Sequence, residues 1–217
     1  MFLLNFILDS LFPTFCISCN QILLDNERDD HLCGKCLSAI IIKKNPEKSG
    51  GVLVYSPFDY DDVSADFIKR LKYDCDRSAA APMARFMTAH IRTSGLEESI
   101  PGAAIVPVPL HPRKLRTRGF NQAELLAGRI GKELKIPVLA ILKRTRMTTP
   151  QSLLESDAER MENIRGAFAI DSQSQIPEKV ILVDDIRTSG ATMNEAARIL
   201  RSAGVRKIDY LVFARAK

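Results

Sequence analysis

The chain has 217 residues, 46% of them hydrophobic and 26% charged, with 31 Lys and Arg against 26 Asp and Glu for a formal charge of +5. This is the composition of an ordinary soluble globular protein, not of a low-complexity chain, and it is long enough to bury one real core with a small appendage. The positive balance favours anionic ligands without separating a phosphorylated sugar from a nucleic acid.

Residues 1–12 are apolar, and Leu4, Ile7, Leu8 and Leu11 fall on one helical face. Asp9 interrupts the run, no basic start or small-residue cleavage site flanks it, and it is too short to span a bilayer. A short amphipathic helix packed on the main domain is expected, with a cytoplasmic location. Four of the five cysteines then form two pairs, Cys16-x2-Cys19 and Cys33-x2-Cys36, with 13 residues between. Each Cys-x2-Cys turn aims two thiolates at one ion, so tetrahedral zinc is preferred over an iron–sulfur centre or disulfides. His31 is an alternative ligand, and Cys75 stands alone as a thiol without a chemical role.

Residues 43–51, with Pro46, Gly50 and Gly51, read as a linker. Residues 52–58 predict a strand. Val63, Phe67, Ile68 and Leu71 give a helical stripe ending near Lys72, and a second helix follows over 79–93. From residue 103 the pattern alternates: strands at 103–108, 138–142, 167–170, 180–183 and 208–214, and helices at 122–134 and 192–203. A short helix is expected near 157–163. Such alternation implies an α/β fold whose mainly parallel sheet has helices on both faces.

The stretch 180–192 carries the most chemistry. Four apolar residues run into Asp184 and Asp185, then a polar turn, Thr188-Ser189-Gly190-Ala191-Thr192, opens a helix. Carboxylates at a strand end, beside backbone N–H groups and hydroxyls at a helix N-terminus, suit a sugar phosphate. A second constellation runs from His111 to Gln122, after the 103–108 strand. Arg113, Lys114, Arg116 and Arg118 make it a cationic loop fitted to a diphosphate, with a solvated basic loop or a nucleic-acid patch as alternatives. A third, Lys143 and Arg144 through Pro150 and Gln151, is basic and long enough for a lid. The chain has neither G-x-x-x-x-G-K-[ST] nor G-x-G-x-x-G, which argues against an ATP-driven motor and a dinucleotide fold. Neither His90 nor His111 belongs to a recognisable nucleophile triad.

The 180–192 stretch resembles the phosphoribosyl-diphosphate (PRPP) motif of type I phosphoribosyltransferases. Leu11-Phe12-Pro13 before Cys16, Val106-Pro107-Val108-Pro109-Leu110-His111, Arg118-Gly119-Phe120-Asn121-Gln122 and residues 160–168 are similar to the ComF/GntX-like group within that superfamily. The resemblance implies a type I phosphoribosyltransferase-like domain over 52–217, with 52–102 as hood and 103–217 as core, after a knuckle over 1–45. It implies that Asp184 and Asp185 hold the ribose hydroxyls near a magnesium ion as the catalytic acids. Thr188, Ser189, Gly190, Ala191 and Thr192 would hold the 5′-phosphate, and Arg113, Lys114, Arg116, Arg118, Lys143 and Arg144 the diphosphate. The expected cofactors are structural zinc and magnesium with PRPP. The expected partners are PRPP or a related ribose phosphate, single-stranded DNA or DNA-uptake proteins, and a second copy of the chain. Two readings stay open: a phosphoribosyltransferase with a role in competence, or a non-catalytic nucleic-acid- or partner-binding protein that retains the pocket.

Overall fold

Two nine-residue strands carry the sheet: β7 (Lys179–Arg187) and β8 (Lys207–Arg215) pair in parallel along most of their length. They belong to a computed structural model that describes residues 13–149 and 153–216. The helix expected over 1–12, and Pro150 and Gln151, lie outside the described residues. The strand order is β1 (Glu47–Ser49), β2 (Val52–Tyr55), β8, β7, β4 (Ala103–Pro107), and β3 (Phe58–Asp59) also pairs with β8. Within this sheet every pairing is parallel except β1 with β2.

Side-chain alternation along these strands divides two cores. Ile181, Val183, Leu211 and Phe213 join one core, together with residues of α2 (Asp62–Lys72), α3 (Ala80–Thr93) and α5 (Gln122–Leu134). Val180, Leu182, Tyr210 and Val212 join the other, with α7 (Ala191–Ser202). Both faces are covered, so the strands read as unbroken apolar runs. In the first core, Phe67 lies between Phe86 and Phe213, with ring centroids 6.2 and 5.6 Å away. Asp61 begins α2 with a capping box: Ser64 N donates to Asp61 Oδ1 at 2.8 Å, and Asp61 N to Ser64 Oγ at 2.9 Å.

Several expected elements come out differently. The strand expected over 52–58 is two strands, broken at Ser56 and Pro57. The strand expected over 138–142 is reduced to one bridge, Ile105 with Val138, before the chain leaves the sheet. Pro137 has no N–H to extend that ladder. β5 (Leu142–Arg144) instead pairs antiparallel with β6 (Phe168–Ile170), and the two form a separate small sheet. The cationic loop is a helix, α4 (Pro112–Arg118). Pro112 stands at its first turn and Gly119, at φ 78°, closes it, a pairing of Pro at the start and Gly past the end that is itself a helix signal. Helix α1 (Gly34–Ser38) follows the third cysteine, and α6 (Asp157–Ile164) confirms the short helix near 157–163. Among the described residues, no helix is long and apolar enough to cross a membrane.

Candidate functional site

The four cysteine sulfurs, Cys16, Cys19, Cys33 and Cys36, all lie within 4.8 Å of one another. Cys19 Sγ is 3.6 Å from Cys33 Sγ. A tetrahedral zinc with Zn–S of about 2.3 Å sets its sulfurs ~3.8 Å apart, so the spacing fits that ion. Cys33 N donates to Cys16 Sγ at 3.4 Å. Burial pushes the Cys16 thiol up, but backbone N–H groups outweigh it and bring the thiol down to about 7. Burial pushes Cys36 up to about 12. A cation among these sulfurs reverses that penalty, because it favours the thiolate. His31 sits apart from the sulfur cluster. Cys16, Leu23, Leu32 and Cys33 share one core with Met83 and Phe86 of α3, and Arg85 of α3 ion-pairs with Asp30.

The second site forms at the carboxyl ends of the parallel strands. β7 does not stop at the acids; it runs on to Arg187. Alternation turns Asp185 toward the face of α2, where its carboxylate is 1% exposed and Oδ2 lies 2.9 Å from Lys72 Nζ. Asp184 belongs to the opposite face, and its Oδ1 accepts the N–H of Asp185 at 2.8 Å. Burial first, and then the charge of Asp185, push Asp184 up to about 8. Burial disfavours the Lys72 ammonium, but Asp185 and Asp184 outweigh it and hold its pKa above the usual lysine value.

Residues 188–192 follow the end of β7. Gly190 has φ 78° and precedes α7; Gly190 and Ala191 are buried, Ser189 and Thr192 half-buried, and Thr188 exposed. The guanidinium of Arg187 lies against Gly190, and its Nη2 donates to Ser49 Oγ at 2.7 Å. Arg187 Nε is buried without a hydrogen-bond partner. A Cβ on Gly190 would stand 2.8–3.0 Å from that guanidinium. Gly190→Ala is therefore expected to cost about 1–2 kcal/mol from the left-handed backbone alone, and to push Arg187 aside. Urea unfolding checks it, and an unchanged midpoint would show that the loop does not hold this conformation.

The six cations expected at the diphosphate do not converge. Lys114 and Arg118 are half-buried and lie within electrostatic reach of Lys72. Arg144 lies within reach of Asp184; its Nε is buried and unpartnered, and its guanidinium stacks 5.5 Å from the Phe168 ring centre. Arg113 and Arg116 are exposed on the outer side of α4. Lys143 alternates away from Arg144 and pairs with Asp171 at 3.0 Å. His111 and His90 are structural: His111 Nδ1 accepts from Arg113 N at 3.2 Å to cap α4, and buried His90 bonds the Lys43 carbonyl at 2.9 Å. Sequence reasoning missed Lys72 and Arg77. Arg77 donates to Gly119 O at 2.8 Å and stands over the Phe120 ring at 4.9 Å. Nothing local marks either residue, since their partners lie more than 40 positions away.

Residues 120–217 match the phosphoribosyl transferase domain. The chain is 33% identical over 188 residues to Competence protein F of Haemophilus influenzae, covering 85% of this chain and 78% of the relative. It is 30% identical to Competence protein ComFC of Streptococcus pneumoniae, covering 73% and 66%. It is also 30% identical to the DNA utilization protein YhgH of Escherichia coli, covering 82% and 74%.

Proposed function

Because this chain belongs to the family of Competence protein F and its ComFC and YhgH relatives, we propose that it binds a phosphoribosyl diphosphate and transfers the phosphoribosyl group in the service of DNA uptake or utilisation. The observation that carries the reading is the close of β7. A helix N-terminus, a left-handed glycine and a buried, unpartnered Arg187 Nε meet there, a few residues along the chain from two carboxylates. A buried donor without a partner is rare in a folded protein, and an anionic oxygen satisfies it. The 5′-phosphate takes the N-terminus of α7, and the carboxylates accept the ribose hydroxyls.

The diphosphate then lies toward Lys114, Arg118 and Arg144. The bond from C1 to the diphosphate oxygen breaks with its electron pair on oxygen, and an acceptor nitrogen forms the new bond to C1 and releases its proton. The hard carboxylate oxygens of Asp184 and Asp185 would hold a magnesium ion, which would neutralise charge on the leaving diphosphate. The chain's own contribution is to position the sugar, to set cations where charge develops, and to exclude water. A second reading, contact with single-stranded DNA, rests on the exposed outer face of α4 with Arg113 and Arg116.

The two faces of α4 separate these readings. Lys114→Gln with Arg118→Gln is expected to weaken PRPP binding roughly 10-fold or more, because charged hydrogen bonds are lost. Ribose 5-phosphate, which lacks the diphosphate, should bind nearly as before. Arg113→Gln with Arg116→Gln should leave PRPP binding intact and make the salt dependence of DNA binding shallower, by about 0.7 per lost phosphate contact. Calorimetry with both ligands and a DNA titration at two salt concentrations decide it. Equal loss of PRPP and ribose 5-phosphate in the inner variant would remove the diphosphate assignment.

A further inference from the structure

Lys72 has no part in the function proposed above, yet it makes the closest contact to the acid pair. It is the last residue of α2, where the helix dipole favours a cation, and its side chain is 17% exposed. Its ammonium lies 2.9 Å from Asp185 Oδ2, a buried atom that has no hydrogen-bond partner of good geometry. The contact is a buried ion pair, and the two carboxylates stabilise the ammonium against its burial.

We propose that Lys72 is the internal counter-ion of the acid pair: in the free protein its ammonium occupies the cation position beside Asp185, and a divalent cation enters only by displacing it. This rests on reading Asp184 and Asp185 as the ribose and cation end of the site, but does not require that the ligand be PRPP. Two features fit an ammonium that moves while its backbone stays. Arg77, five residues on, anchors the segment through the Gly119 carbonyl and the Phe120 ring. The four-carbon lysine stem gives the charge reach without moving the helix. Lys114 and Arg118 lie within electrostatic reach of Lys72, so a diphosphate held by those two cations would also attract the displaced ammonium. The free protein would then keep divalent ions out of the pair until an anionic ligand arrives to receive Lys72.

Manganese alone, titrated into the zinc-loaded full chain and followed by electron paramagnetic resonance, tests this without any sugar phosphate. Lys72→Met should bind Mn²⁺ about 10-fold tighter or more than the parent, because a unit charge a few ångströms from the ion is removed. Lys72→Arg should bind like the parent. Lys72→Gln, neutral but polar, gives the same tightening should the methionine variant fail to fold. The gain should vanish when Asp184→Asn and Asp185→Asn are added. Folded neutral variants that bind Mn²⁺ no tighter than the parent would overturn the proposal, as would a gain that survives loss of the acids. Failure of PRPP to bind the parent, with the manganese result as expected, would instead fall on the proposed function.

Discussion

Removing the metal from the four-cysteine site is expected to unfold the knuckle while most of the α/β domain remains. The knuckle's regular structure among the described residues is one antiparallel bridge between Phe15 and Ile22, a 3-10 turn over Asp25–Asp30 and the five-residue α1, far too little to bury a core of its own. Metal binding would then supply the folding energy, with apparent values of roughly 10–16 kcal/mol for structural zinc in small modules. Cys16→Ser, or a strong chelator, should open residues 13–45 to proteolysis at concentrations that leave the parent uncut. The main domain should feel it less, through the exposed surface of Met83 and Phe86 that Cys16, Leu23 and Leu32 help to cover. Acid should release the metal, because protons compete for the thiolates and the unliganded Cys36 is a very weak acid. Elemental analysis of protein purified without chelator should give about one zinc per chain. Full occupancy by iron, or a metal-free knuckle equally resistant to protease, would refute the assignment.

The second large effect concerns the acid pair, where the two carboxylates should behave differently. Burial and the charge of Asp185 push Asp184 up to about 8 and favour its neutral form in the free protein, which asparagine imitates. Asp184→Asn should therefore keep the parent's melting temperature and lose PRPP affinity by roughly 10–100-fold, the worth of one charged hydrogen bond. The pH dependence has a definite sign. Below its pKa the carboxyl is neutral and a poorer acceptor; above it the carboxylate accepts freely. Parent affinity should accordingly rise from pH 6 to 9, and the variant should show less of that rise. Asp185→Asn is different, because it leaves Lys72 buried without its partner. It should lose affinity and also about 3–5 kcal/mol of stability. Calorimetry alongside thermal unfolding reads both. An Asp184→Asn protein that binds PRPP as tightly as the parent would show that the acids do not hold the ribose.

Local pattern by itself determined a good part of this molecule. The stripe through Ala123, Leu126, Ala127 and Ile130 bounds α5 at Gln122–Leu134, the limits the structure shows, because a helix writes its buried face into the sequence at a period of 3.6. The two Cys-x2-Cys pairs and the run into Asp184 and Asp185 are equally local: spacing along the chain sets where those groups can reach. The helix at α4 was legible too, in Pro112 and Gly119, although the density of positive charge suggested a loop. What only the tertiary structure decided is partnership across distance. Leu142 and Phe168 look like strands of the main sheet, since a short apolar run carries no record of which neighbour it pairs with. Lys143 and Arg144 are alike in sequence, but β-alternation sends one to Asp171 and the other toward Asp184. Lys72 meets Asp185 across more than 100 residues because α2 packs on the face of β7 to which alternation turns that carboxylate. Periodicity encodes an element and its buried side; it takes the folded sheet, covered on both faces, to bring charges from different elements to the same point.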